Sequence, residues 1–113
     1  LILPICIPSG QPTRGQLFDV ACRRDPGDVG VVVGSLMTTP QLAIPGAQGR
    51  LEIHPAFIVW QATGLVGCMG RFTTRVPVPK APALKGVKVY WQAGAQDPRY
   101  HVFISPPVAT EIQ

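Results

Sequence analysis

The feature that most limits what this chain can fold into is the spacing of its prolines and glycines. Among 113 residues there are 13 prolines and 12 glycines, and they punctuate apolar runs instead of gathering into tracts. The longest stretch free of both extends only from Gln16 to Asp25. A helix of average length needs about 11–12 residues, and proline inside one costs roughly 3 kcal/mol. Helices are therefore all but excluded. Hydrophobic residues make up 46% of the chain and charged residues 14%, a balance that excludes a disordered chain and suits one domain around one core.

Between the breakers the apolar runs recur at strand length, the pattern of an all-β protein. In Leu17–Cys22 the residues Phe18, Val20 and Cys22 share one face. Asp25-Pro-Gly-Asp28 supplies a turn, with proline presetting φ and glycine permitting its positive range. Val29–Val33 reads as a mostly buried strand, Gln41–Ile44 as a short one closed by Pro45-Gly46, and Leu51 and Ile53 alternate with Glu52 and His54. Phe57–Ala62 is apolar on both faces, which predicts a central strand or one lying under a loop. Arg71–Val76 is a clear half-buried strand, with Phe72, Thr74 and Val76 inward. Pro77, Pro79 and Pro82 then predict an extended crossover. Val87, Val89 and Trp91 face one way and Lys88, Tyr90 and Gln92 the other, and Tyr100–Ile104 and Val108–Ile112 complete the series. About eight or nine short strands of this kind pack best as a two-sheet antiparallel β-sandwich with essentially no helix. Residues 1–10 read as an apolar amino-terminal extension and residues 11–113 as the sandwich domain.

Two blocks of the chain resemble a group of small secreted bacterial β-sandwich domains. The closing block is Gly86-Val-Lys-Val-Tyr-Trp-Gln-Ala93, followed by Asp97-Pro98 and Ser105-Pro106 before a last strand ending at Ile112. The group closes similarly, on Gly-x-x-(Val/Leu)-Tyr-x-Gln-Ala, an Asp-Pro turn and a Ser-Asn strand, so Pro106 departs from its pattern. The opening elements are also similar: Cys6, the Pro8–Gln11 stretch, Gly15-Gln-Leu-Phe-Asp-Val20, and an aliphatic strand ending at Gly34. The resemblance implies a sandwich and secretion or surface display. It implies no activity, substrate or cofactor.

The side chains able to do chemistry are sparse. Ten basic and six acidic residues give a net charge of +4, but the only adjacent basic pair is Arg23-Arg24, so a nucleic-acid surface is not expected. His54, His101, Ser9, Ser35 and Ser105 sit in no nucleophile context, and neither catalytic nor metal-ligating residues are expected. Asp25 and Asp28 fall far short of the 6–8 oxygens that Ca²⁺ takes. No cofactor is implied. Cys6, Cys22 and Cys68 lack the spacing of a zinc site. Cys22 and Cys68, both in the strand-rich body, are the expected pair if the chain is oxidised, the alternative being three reduced core thiols. Trp60, Tyr90 and Tyr100 are candidates for an aromatic platform that would bind glycan, set against the alternative of aromatic core.

The sharpest lead is the amino-terminal run Leu1-Ile-Leu-Pro-Ile-Cys-Ile-Pro8. It begins on Leu, which predicts a preceding segment either removed or left out, and is too short to span a membrane, which takes about 20 apolar residues. So uncharged a strand has to be covered. It is either the first strand of the chain's own sheet or an arm whose Leu1, Ile2, Leu3, Ile5 and Ile7 insert into a neighbouring subunit by strand addition. Pro4 and Pro8 share a phase, so their missing N–H groups leave the opposite edge intact. The expected function is a non-enzymatic extracellular structural or assembly subunit, a homo-oligomer able to form filaments. A monomeric glycan- or ligand-binding module is the alternative.

Overall fold

The computed structural model describes residues 4–42 and 44–113, with residues 40–42 described by their backbone alone. The chain is an all-β sandwich, as the breaker spacing predicts. Its strands are β1 (Ile5–Pro8), β2 (Leu17–Arg23), β3 (Val29–Ser35), β4 (Thr38–Leu42), β5 (Ala47–Gln48), β6 (Leu51–Ile53), β7 (Ile58–Leu65), β8 (Arg71–Pro77), β9 (Lys88–Gln96), β10 (Val102–Ile104) and β11 (Val108–Glu111). Helical structure among the described residues is confined to single 3-10 turns at Pro55–Phe57 and Pro82–Leu84, each begun by a proline.

One sheet has the order β1-β2-β8. The other runs β5-β10-β9-β3-β7, with β11 also on β9, and a ribbon of β4 and β6 stands apart. All pairings are antiparallel except β5 with β10. The turn at Asp25–Asp28 carries the chain from the first sheet to the second, and the proline segment after Pro77 carries it from β8 to β9.

The core lies between the sheets. Phe18, Val20 and Cys22 of β2 and Val76 of β8 meet Val32, Val89, Trp91 and Ala93 from the facing sheet, the phases that alternation in the sequence predicts. Two aromatic rings are accommodated by absent side chains on β3 and β7. A Cβ on Gly34 would stand 2.6 Å from the Trp91 ring, and one on Gly64 would collide with the Phe72 ring. This explains a strand that reads Val-Gly-Val-Val-Val-Gly: its inward positions are Gly30, Val32 and Gly34, and only Val32 fills core volume.

One element differs from expectation. β7 is apolar on both faces yet, among the described residues, is an edge strand of its sheet, paired with β3 alone, and Ile58, Val59 and Leu65 are exposed. At the amino terminus, Ile5–Pro8 form β1 of the chain's own sheet, one of the two readings open from sequence, and pair with β2 from Ile5↔Arg23 to Pro8↔Val20.

Gly34→Ala is expected to destabilise the fold by about 1–3 kcal/mol, because overpacking forces a buried ring off its rotamer. Trp91 has no room to retreat, being 2% exposed and tied by its indole N–H to Thr110. Urea denaturation followed by tryptophan fluorescence measures the change.

Candidate functional site

The ladder alternation identifies which backbone groups each outer strand offers. The amide of Val66 donates to the carbonyl of Asp28 at 2.8 Å, in line with the register Val29↔Leu65. Counting back from it, the N–H and C=O groups of Leu65, Thr63 and Gln61 point away from β3. They line an edge eight residues long, Ile58-Val-Trp-Gln-Ala-Thr-Gly-Leu65, with no proline and no charge. Edges left in this state are templates for another strand.

The outer edge of β1 is built differently. The amide of Ser9 donates to the carbonyl of Asp19 at 2.9 Å, so Ile7 and Ile5 are the residues hydrogen-bonded to β2, and Pro4, Cys6 and Pro8 present their backbone outward. Of those three only Cys6 has an N–H. The shared phase of Pro4 and Pro8 keeps the β2 ladder whole and blunts the opposite edge. The side chains of Pro4 and Cys6 are buried, Ile7 is half-buried and Ile5 is exposed. Leu1, Ile2 and Leu3 lie outside the described residues.

An apolar cleft of about 360 Å³ lies where the start of β7 meets the end of β8 and reaches the core, its lining including Val59, Trp60, Pro77, Leu84, Phe18 and Trp91. The Trp60 indole donates to the Thr74 hydroxyl at 3.0 Å, tying the two strands across the flank. A second apolar hollow of similar volume, about 360 Å³, lies on the outer face of the larger sheet over Val31, Val33 and Gly94, walled by Ile44, Leu51 and Ile104.

The three aromatics expected to form a platform do not share a surface. Trp60 is at the β7–β8 flank. Tyr90 is half-buried, in phase with Gln92 on the sheet's other face and opposite Ser35 and Ala109. Tyr100 is 80% exposed in the loop after β9, at a positive φ of 65°. Asp97 organises that loop, its carboxylate accepting from the amides of Arg99 (3.0 Å) and His101 (2.9 Å). It also lies 3.1 Å from the His101 ring.

Cys22 and Cys68 are not brought together. Cys22 is buried between the sheets, its thiol 3.7 Å from the Gly94 carbonyl, whereas Cys68 is exposed in the β7–β8 turn, and all three thiols are free. The physical reason is phase: Cys22 shares the inward face of β2 with Phe18 and Val20, while Cys68 belongs to no strand.

Other candidate groups are engaged in structure. Ser35 donates to the carbonyls of Met37 and His54, and Ser105 to that of Pro106. His54 Nδ1 accepts from the Ala56 amide at the start of a 3-10 turn. Among the described residues no group of three or more His, Cys, Asp or Glu is placed to hold a metal, and no helix is long and apolar enough to cross a membrane. Two interactions escaped the sequence reading. Arg24 and Asp28 form a buried ion pair at 3.1 Å, with the Arg24 guanidinium 4.0 Å above the Phe103 ring; the i,i+4 spacing across a turn was its only trace. Gln92, which alternation puts on the face opposite Trp91, bonds backbone on that outer face. Its Nε2 donates to the carbonyls of Arg50 (2.7 Å) and Ser105 (2.8 Å), and its Oε1 accepts from the Glu52 amide (3.0 Å).

No family model matches this chain, and no curated protein matches it either.

Two outcomes are expected. Gln92→Leu withdraws three hydrogen bonds from buried or half-buried backbone and should cost about 2–4 kcal/mol, with hydrogen exchange at the Glu52 amide accelerated before that of the β2 amides. Burial pushes the Asp97 carboxyl up, but the hydrogen bonds and charge of His101 and the Arg99 amide outweigh it and hold the group below its ordinary value. A depressed carboxylate stabilises above its unfolded pKa and ceases to as pH falls through the folded value. Acidification below the ordinary carboxylate range should therefore loosen the β9–β10 loop, read as faster exchange at His101, and Asp97→Asn should remove most of that pH dependence.

Proposed function

We propose that this protein is a non-enzymatic structural subunit that assembles with further copies of itself by strand addition at β7. The observation that carries the reading is the free edge of β7: eight residues, uncharged and proline-free, with an apolar cleft at the start of the same strand, lined by its Val59 and Trp60. Strand addition requires both features, since backbone bonds give affinity and side-chain pockets give specificity. The acceptor edge offers the groups of Gln61, Thr63 and Leu65, and the cleft takes an apolar side chain between Trp60 and Leu84.

The donor in this reading is the uncharged amino-terminal run of a neighbouring copy, with Leu1 and Leu3 in one phase for the cleft. Ile5 and Ile7 remain in β1 of their own subunit, bonded to β2, so donation does not require the sandwich to open. β1 and β8 are the two edges of the smaller sheet, and β7 lies beside β8. β1, from which the donor run extends, and the acceptor β7 are thus on opposite flanks, and a contact between such flanks is head-to-tail and builds an open filament. The resemblance of the closing block to secreted bacterial sandwich domains supports a location outside the cell. The scattering of Trp60, Tyr90 and Tyr100 favours assembly over a glycan platform.

Sedimentation of the purified chain tests this. The wild type should form particles that grow with concentration. Thr63→Lys, which puts a charge on the exposed face of the acceptor edge, should sediment as a folded monomer, and so should a chain lacking residues 1–3. A wild type that stays monomeric at every concentration, or a Thr63→Lys variant that assembles as the wild type does, overturns the proposal.

A further inference from the structure

Cys6 and Cys22 stand directly opposite each other across β1 and β2. The alternation fixed by the Ser9–Asp19 bond makes theirs a non-hydrogen-bonded pair. In such pairs the Cα atoms are about 4.5 Å apart and the side chains at their closest, inside the 4.4–6.8 Å that a disulfide spans. Both side chains point into the core, 5% and 0% exposed, and the charge of one thiolate bears on the other. Cys68 lies outside the core, exposed in the β7–β8 turn.

We propose that Cys6 and Cys22 are the two halves of a cross-strand disulfide that staples the edge strand β1 to β2, formed by exchange with a disulfide oxidant of the glutathione class. In the balanced step one cysteine thiolate attacks a sulfur of the oxidant and expels one thiol. The second thiolate then attacks the mixed disulfide and expels the other. Two Cys–SH groups and one R–S–S–R become one Cys–S–S–Cys and two R–SH, with two electrons passing to the oxidant and the two protons carried on the released thiols.

Burial and the neighbouring Cys22 push the Cys6 thiol up to about 12, and burial pushes Cys22 up to about 11. Thiolate, the attacking species, is scarce in the closed fold at neutral pH. The bond therefore forms while the sandwich is assembling, before β1 covers the pair, and afterwards the core shields it from reductant. The staple holds the root of the amino-terminal run at a fixed point on the sandwich. It does not depend on the assembly at β7 and is read by a different measurement.

The full chain refolded in a buffer of oxidised and reduced glutathione, then digested with trypsin without reduction, tests the pairing. The peptides Leu1–Arg14 and Gly15–Arg23 should be recovered joined, lighter than their sum by two hydrogens, with Cys68 free to alkylate. The Cys68→Ser variant should give the same link. The oxidised chain should melt roughly 10 °C above the reduced one, and Cys6→Ser should abolish that difference. A link through Cys68, three free thiols after refolding, or equal melting of the oxidised and reduced chains overturns the inference.

Discussion

Strand β9 is hydrogen-bonded along both of its edges, and the larger sheet is organised around it. β3 pairs with it from Val29↔Gln96 to Ser35↔Tyr90, while β10 and β11 divide its other edge between them. Its two faces serve two layers. Val89, Trp91, Ala93 and Ala95 face the smaller sheet, and Gln92 on the opposite face fastens the loop before β6, β6 itself and the segment after β10. A buried primary amide with three backbone partners forms no ligand site. It substitutes for the ladder bonds that those irregular segments cannot make for themselves.

The same network gives the closing block of the sequence a physical meaning. Ser105 Oγ accepts from the Ala93 amide at 2.8 Å, the Ser105 amide returns a bond of 2.7 Å to the Ala93 carbonyl, and the Ser105 carbonyl accepts from Gln92. Gln92, Ala93 and Ser105 are one connected unit, and Pro106 is compatible with it because its carbonyl is the group used, receiving the Ser105 hydroxyl at 3.1 Å. Asp97 closes the connection between the two halves of the unit by capping the loop from Asp97 to His101.

The two flanks of the sandwich manage their strand edges in opposite ways. At β1 prolines occupy the outward phase, so the edge is nearly without donors although its residues are apolar. At β7 neither proline nor charge intervenes. Exposed edges are a hazard that soluble chains normally blunt, and the contrast within one molecule is what directs attention to β7. The apolar character of Phe57–Ala62 was plain in the sequence, but the pattern fits a strand covered within its own chain as well as one left for another. Only the order of strands in the sheet distinguishes the two.

Alternation and breaker spacing are local properties, and the sequence alone determined what depends on them: the all-β class, the inward phases of β2, β8 and β9, the turn at Asp25–Asp28, and the phase of Pro4 and Pro8 in the amino-terminal run. Tertiary structure decided what depends on pairings between distant segments. It put Cys6 opposite Cys22 and left Cys68 exposed in a turn. It separated Trp60, Tyr90 and Tyr100 onto different surfaces, brought Arg50, Glu52 and Ser105 to Gln92, and made β7 an edge. The physical reason is that a strand's side-chain period fixes which residues share a face, but not which strand lies beside it. Neighbours are chosen by the packing of the whole sandwich, where Gly34 and Gly64 admit the rings of Trp91 and Phe72.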